Sequence, residues 1–486
     1  MSGDLDVAEN PGLGLDARVI GAGPNGLTAA VVCASSGLNV TVYEADGVIG
    51  GGARSESLTI PGFLHDRCSS IYPLGAASPF FRALPITAFG LEWLHARYPL
   101  VHPLEDGDAV TVERSVHATA LHLGGDGPTY ERLLGPFVDH WDRLVDDVLA
   151  PPHWPRHVRE LVPFGLTAVQ PAARLARRFG TAKAQALVAG LAAHSGEPLD
   201  RPLTSAFALL LLALAHAVGW PVARGGAQSV ADALASCLRT RGGTIITNRR
   251  VDTLDDLPPS TLTLCDVAPE HLADIARDRL PPAFANRLRR FSRSGGVFKV
   301  DWALDGPIPW RARECLEAGT VHVGGSFEEI AASEAAPQHG RIAERPFVIV
   351  AQPSVCDPGR APAGGHVAWG YCHVPLAATA DMTERIERQV ERYAPGFRDR
   401  VLARHVMAPA DLSRLNANLV GGDISGGAFT VRQWLARPTW RTYGTPLNGL
   451  YLCSASTPPG SGVHGMCGYW AARSALASLQ RNYSPR

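Results

Sequence analysis

Three things are scarce in this 486-residue sequence: an excess of either charge, closely spaced cysteines, and long apolar runs. Lys and Arg number 45 against 46 Asp and Glu, for a net charge of −1, and no block of like charge stands out. A protein that grips a phosphate backbone needs a basic face, so nucleic acid is excluded as a partner and a small molecule is expected. The nine cysteines fall at positions 33, 68, 237, 265, 315, 356, 372, 453 and 467, and none has another three positions on. That spacing excludes a redox disulfide of the usual short loop and a zinc knuckle, so no metal is expected and the thiols read as core residues of a reducing compartment. The most apolar run, Ala206 to Val218, spans about 13 residues against the roughly 20 needed to cross a bilayer. It reads as a buried helix, or at most one dipping into a single leaflet. Met1 to Leu15 has neither a basic start nor an apolar centre, so it reads as a frayed tail rather than a secretory signal, and a cytoplasmic location, with peripheral membrane contact if the substrate is lipid-like, is the expectation. No repeat or low-complexity block breaks the chain, whose length suggests two or three domains.

What is present begins at Ala17. Arg18-Val-Ile reads as a strand, Gly21-Ala-Gly-Pro-Asn-Gly26 as a turn, the apolar stretch closed by Gly37 as a helix, and Asn39-Val-Thr-Val-Tyr-Glu44 as a second strand, which together make a βαβ unit. Gly21, Gly23 and Gly26 supply a tight turn, close backbone approach to a pyrophosphate, and close packing of helix on strand. The phosphates then sit at a helix N-terminus, where free N–H groups and the helix dipole favour anions. With 50 glycines in the chain, the pattern alone would be weak. Its context is not: Glu44, 18 residues beyond Gly26, ends the next strand where a carboxylate meets ribose hydroxyls. A second glycine pattern, Gly460-Ser-Gly-Val-His-Gly465, lies between a strand and a helix, but the chain stops before a further strand and acidic residue could follow. It reads as a helix N-terminus aimed at the cofactor already bound, leaving no dedicated NAD(P) domain.

Elsewhere, Tyr130 to Val148 carries apolar residues at three- and four-residue steps and predicts one amphipathic helix. Helices are expected over Gln228–Arg239 and Asp381–Tyr393, and strands over Thr244–Thr247, Thr261–Cys265, Val297–Leu304, Phe347–Ala351 and His366–Cys372.

The sequence resembles the phytoene desaturase-like flavoproteins, within the wider group that includes amine oxidases, over nearly its whole length, from Ala17 to Leu479. The resemblance is carried by Val19-Ile-Gly-Ala-Gly-Pro-Asn-Gly-Leu27, Ile49-Gly-Gly-Gly-Ala-Arg-Ser55, Pro61-Gly-Phe-Leu-His-Asp66, Cys68-Ser-Ser70, Gly219-Trp-Pro-Val-Ala-Arg-Gly-Gly226 and Leu452 to Gly465. It implies FAD, with Gly21, Gly23, Pro24, Asn25 and Gly26 at the pyrophosphate, Glu44 and Ala45 at the adenosine ribose, and Gly50, Gly51 and Arg54 continuing along the chain of the cofactor. It also implies Val251 at the adenine, and Gly462, Val463 and His464 beside the flavin ring, their N–H groups stabilising the electron-rich ring. Two departures stand out: Gly52 occupies the place where relatives often have Arg, and Cys453-Ser-Ala-Ser456 replaces an acidic turn, so Ser454, Ser456 or backbone groups substitute.

The expected fold is α/β: a Rossmann-type FAD-binding domain assembled from segments 15–100, 224–296 and 440–486, with an α+β substrate domain, 101–223 and 297–439, inserted between them. The expected reaction is desaturation or redox isomerisation of a largely apolar substrate by hydride transfer to the flavin, with oxygen or a quinone as final acceptor. Such chemistry needs little acid–base machinery. His464 is the candidate for handling a proton, and His216 and Trp220 are candidates for the substrate cavity, although a histidine in an apolar helix is more often a satisfied core residue. Cys68, close to the expected flavin, is equally a small buried hydrophobe. The segments Tyr130–Trp220 and Val297–Cys372 offer long apolar faces without an Arg/Lys cluster, although the scattered Arg201 and Arg224 are free to converge in space. The rival readings are an amine or amino-acid oxidase, with Trp220 or Trp470 in an aromatic cage, and a non-catalytic carrier of prenyl or lipid cargo.

Overall fold

The strands Asp16–Ile20 and Asn39–Tyr43 bury Ala17, Val19 and Ile20, and Val40, Val42 and Tyr43, in the interior of a parallel sheet. A computed structural model describes residues 15–483; the expected tail over residues 1–14 lies outside them. These two strands are the centre of a five-stranded parallel sheet in the order Leu450–Leu452, Leu262–Cys265, Asp16–Ile20, Asn39–Tyr43, Thr244–Ile246. The helix Pro24–Ser35 starts with proline, whose missing N–H is no loss in a first turn, and is buried from Gly26 to Cys33. Helices Gln228–Arg239 and Met466–Tyr483 pack against it, so three distant segments of chain close one domain.

A second sheet has seven strands, in the order Val401–Met407, Gly296–Leu304, His366–Val374, Val348–Ala351, Ala318–Val323, Tyr98–Pro103, Ala109–Val112. All neighbours are antiparallel except Ala318–Val323 on Tyr98–Pro103. Helices between Val116 and Ala217 form a layer beside it. Tyr98 belongs to this sheet, and Val222–Ala223 pairs with Trp93–Leu94 in a separate two-stranded sheet.

The helix expected over Tyr130–Val148 is two, Gly127–Asp139 and Trp141–Val148, since His140 leaves helical geometry (φ −115°, ψ 25°). The apolar run at Ala206 is the helix Thr204–Ala217, packed among other helices. Among the described residues, no helix is long and apolar enough to cross a membrane.

Candidate functional site

One cavity of about 790 Å³ runs from the carboxyl edge of the parallel sheet to the face of the seven-stranded sheet. Ligands of open α/β sheets bind beyond the carboxyl ends of the strands, and this cavity opens there. Its outer end is made by the turn after the first strand and by the end of the second. Gly21 has φ +97°, and a Cβ on it would lie 2.9 Å from the Asp266 carbonyl; one on Gly23 would lie 2.8 Å from Asp266 Oδ2. Only hydrogen fits at these places, so the backbone is bare where a pyrophosphate needs to approach. The Glu44 carboxylate is braced by the N–H groups of Ala22 (2.7 Å) and Asp46 (3.0 Å), which fix it at the mouth. Asn25 also lines the cavity, with its Oδ1 buried and unpartnered.

Of the residues singled out in the sequence, Gly21, Gly23, Pro24, Asn25, Glu44, Ala45, Gly51, Arg54, Val251, Ser456, Gly462 and Val463 line this one cavity, and so does Trp220. Gly26 and Gly50 stand just behind it: the Gly26 N–H donates to Asp266 Oδ2 at 2.9 Å, and the Gly50 N–H donates to the Ala22 carbonyl at 2.9 Å. Arg54 is spent on Asp46, at 2.5 Å. Ser454 and Ser456 occupy the wall where the sequence lacks a carboxylate.

Two expectations need correction. His464 does not line the cavity: its Nδ1 accepts the Met466 N–H at 2.9 Å, and the carbonyls of Gly460 and Ser461 hold the ring, so it fixes the turn that carries Gly462 and Val463. Burial pushes its pKa down to about 4. His216 is not in the cavity either; its Nε2 meets the Tyr130 hydroxyl at 2.6 Å inside the helical layer. Trp470 is similarly occupied, donating to the Leu149 carbonyl. Arg201 and Arg224 do not converge, being paired with Glu197 and Glu92.

The inner end holds residues that the sequence did not disclose. Lys299, on strand Gly296–Leu304, is ion-paired with Asp301, donates to the Asp66 carbonyl at 3.1 Å, and lies 5.1 Å from the Trp369 ring centroid. Trp369 stacks on Tyr371 at 5.9 Å and donates to Ser70 Oγ at 2.7 Å. Burial holds the Tyr371 phenol well above its usual range, and pushes the Cys68 thiol up to about 11. Strand alternation could have flagged Lys299, an ammonium amid a buried apolar strand, because such a charge must have a partner. Behind this wall, Arg360 is buried between Asp66 and Asp357 and donates to the Ala223 carbonyl at 2.9 Å. Asp66 also accepts from the Ala227 N–H at 2.8 Å and from the hydroxyls of Ser55 and Ser70, each at 2.6 Å. Arg360 thereby ties the inserted domain to Asp66 and Ala223, and Asp357 adds a bond from the Gly225 N–H at 2.8 Å.

These features define a dinucleotide-type site at the carboxyl edge of a parallel sheet, closed on its inner side by the face of a second sheet. Residues 149–467 match the flavin containing amine oxidoreductase family, and residues 19–84 match the NAD(P)-binding Rossmann-like domain. The chain belongs to the flavin containing amine oxidoreductase family and is an FAD-dependent oxidoreductase. It is 28% identical to pyridine nucleotide-disulfide oxidoreductase domain-containing protein 2 of Mus musculus, over 96% of this chain and 94% of that one. It is 23% identical to the lycopene-forming phytoene desaturase of Pantoea ananas, over 54% of this chain and 57% of that one. An oxidoreductase from Methanosarcina mazei shares the fold with a TM-score of 0.64 and 16% identity, covering 95% of this chain and all of that one. Putrescine oxidase bound to putrescine shares it with a TM-score of 0.62 and 17% identity, covering 97% and 100%. Membership of an oxidoreductase family removes the reading of a non-catalytic cargo carrier.

Proposed function

We propose that this flavoenzyme dehydrogenates, or shifts a double bond in, a largely apolar and uncharged substrate, in the manner of the phytoene desaturases that it resembles. One observation carries this reading. The acidic residues lining the cavity, Glu44, Asp46 and Asp266, all belong to its nucleotide end, whereas the charged group on the inner wall is the ammonium of Lys299. A cationic amine would meet there the Lys299 ammonium, already paired with Asp301, and no lining carboxylate free to hold it. Leu211, Trp220, Ile349 and Ala351 supply apolar wall for a hydrocarbon segment. The residues at hand fit the cofactor: Gly21 and Gly23 would leave the pyrophosphate its approach, Glu44 would hold the ribose, Val251 would border the adenine, and the Gly462–Val463 turn would meet the ring. When bound, FAD supplies the hydride acceptor. This chain's part is to hold the substrate against it, exclude water, and take the proton. Oxygen or a quinone then serves as final electron acceptor.

The Trp369–Tyr371 stack favours a second reading, oxidation of a neutral amine between aromatic faces. Anaerobic mixing decides between them: neutral polyenes such as phytoene should bleach the flavin, while amines and charged analogues at matched concentration should not. Faster bleaching by amines would reverse the order.

An apolar substrate suits exchange with a lipid surface. Trp154 is 87% exposed and Leu166 65% exposed, and Val158, Val162, Leu166 and Val169 form one exposed stripe on and just beyond helix Val158–Ala168, with Arg156 and Arg159 beside it. Apolar side chains flanked by cations suit the headgroup region of an anionic bilayer. This face is our candidate for peripheral membrane contact.

A further inference from the structure

Dehydrogenation between two carbons releases a hydride from one and a proton from the next. The residues assigned so far provide for the hydride alone. We propose that His194, backed by His322, receives the proton from the substrate; this rests on the dehydrogenase reading above.

His194 follows helix Ala182–Ala193 and lines the inner cavity beside Trp220, the two rings 5.9 Å apart. Its Nε2 lies 2.9 Å from Nε2 of His322, on the buried strand Ala318–Val323. His102, on the neighbouring strand, is 6.4 Å from His322 between ring centroids, and its Nε2 donates to the Gly325 carbonyl at 2.9 Å. Facing a carbonyl, His102 must carry its proton on Nε2, which leaves Nδ1 as a lone pair. The Nδ1 atoms of His102 and His322 are buried without partners. Both face Gly190, where a Cβ would lie 3.3 Å from the one and 2.7 Å from the other. Any larger residue at position 190 would wedge the string apart.

This order assigns the protons. An Nε2···Nε2 contact between two neutral imidazoles holds one proton, so with His194 as donor, His322 carries its own on Nδ1, and His194 Nδ1 is the lone pair left for the cavity. Burial keeps all three rings neutral, holding His194 near 3, His102 near 4, and His322 well below the ordinary value. The neighbouring His373 is a different case, engaged by Glu334 at 2.7 Å and with its pKa raised despite burial; its charge also lowers that of His194.

The other polar groups of the inner wall are worse acceptors. Lys299 is committed to Asp301, the Tyr371 phenol and the Cys68 thiol keep their protons, and His271, the other cavity histidine, sits at the nucleotide end with Nε2 on the Ala417 carbonyl.

The step balances as follows. One C–H bond breaks with its electron pair carried to the flavin as hydride, and the C–H bond of the next carbon becomes acidic. That second bond breaks heterolytically: its electrons become the new π bond, and its proton goes to His194 Nδ1. The Nε2 proton of His194 shifts to His322 Nε2 across their 2.9 Å contact. The substrate is oxidised by two electrons and the flavin reduced by two. A weakly basic imidazole suffices, because a C–H bond beside an electron-poor carbon is strongly acid, and sharing the proton across the His194–His322 hydrogen bond offsets part of the cost of charging either ring. His194 is the catalytic residue here; His322 and His102 are positioning residues.

The test uses the holoenzyme with phytoene in detergent micelles, and a set of primary amines alongside. Wild type, His194→Gln, His194→Ala and His322→Gln are compared at equal FAD content. His194→Gln should slow anaerobic flavin reduction by phytoene by about 100-fold or more. Free imidazole should partly restore the rate in His194→Ala, which a merely structural role would not allow. Independently of turnover, 15N-histidine-labelled holoenzyme should show a through-hydrogen-bond coupling between the His194 and His322 nitrogens that His322→Gln abolishes. Flavin reduction by phytoene at the wild-type rate in both His194 variants, or absence of that coupling in wild type, overturns the role of His194 alone. Flavin bleached by amines and not by phytoene, with no dependence on His194, overturns the dehydrogenase reading and the proton acceptor with it.

Discussion

The backbone N–H of Gly26 donates to the side chain of Asp266 at 2.9 Å, joining the glycine turn to a strand end 240 residues later. Burial raises the Asp266 pKa to about 7, and the nearby charge of Glu44 adds to the rise, against the single hydrogen bond that lowers it. The folded-state pKa lies above the unfolded one. The group therefore contributes stability that is complete below about pH 4 and is lost as pH rises through about 7. Asp66, Asp126 and Asp147 are shifted the other way, and their contribution changes only in more acid solution. The buried neutral histidines, among them His102, His194, His322 and His464, add stability over the same rise in pH, so the comparison with a variant isolates Asp266. Between about pH 5 and pH 8, Asp266→Asn should gain stability relative to the wild type by an amount bounded by about 4 kcal/mol in denaturant titrations, and a difference that does not change with pH would remove Asp266 as its source.

Gly23→Val should yield folded but colourless protein. The new side chain would begin 2.8 Å from Asp266 Oδ2, crowding the turn that would receive the pyrophosphate. Absorbance of the purified variant near the flavin bands reads this directly, with circular dichroism as the check on folding.

Glu44→Ala should weaken FAD retention by roughly ten- to a hundredfold, the worth of a hydrogen bond to a charged group at about 1.5–3 kcal/mol. The carboxylate is held at the mouth by two backbone N–H groups and supports little packing, so the melting temperature without cofactor should barely move. Calorimetric titration of the FAD-free protein with FAD measures the first, and a thermal scan the second.

Arg360→Met should cost roughly 3–5 kcal/mol of stability, because it strands the Asp66 carboxylate without its cation in a place closed to solvent. The double variant with Asp66→Asn should recover part of that loss, since no charge is then left alone. If both variants unfold at the same denaturant concentration, the ion pair is not what the single substitution broke.

Val162→Glu with Leu166→Glu should reduce co-sedimentation with vesicles containing anionic phosphatidylserine, while leaving FAD content unchanged. Sedimentation velocity without vesicles supplies the alternative: a concentration-dependent dimer abolished by the same changes would assign the stripe to a second copy of this chain.

The nucleotide end was legible in the sequence because its chemistry is local. Gly21, Gly23, Gly26 and Glu44 stand within 24 residues, and their roles follow from a turn, a helix start and a strand end that neighbouring residues build. The inner end was not legible. Lys299, Trp369, Tyr371 and His194 come from two strands and a helix end, far apart in the chain. The sequence pointed instead to His464 and His216, whose rings are consumed by the Met466 N–H and the Tyr130 hydroxyl. Strands Tyr98–Pro103 and Ala318–Val323 also escaped notice, being buried at every position and so lacking the alternation that marks a half-exposed strand.

By itself, then, the sequence determined the cofactor class, the glycine turn that receives it, and the assembly of one nucleotide domain from separated segments, since each depends on backbone geometry that a few residues impose. Only the tertiary structure decided which polar groups face the substrate. Pairing of Lys299 with Asp301 and of His194 with His322 depends on which sheet register and helix packing bring them within hydrogen-bond reach, and burial then sets which of them can hold or accept a proton.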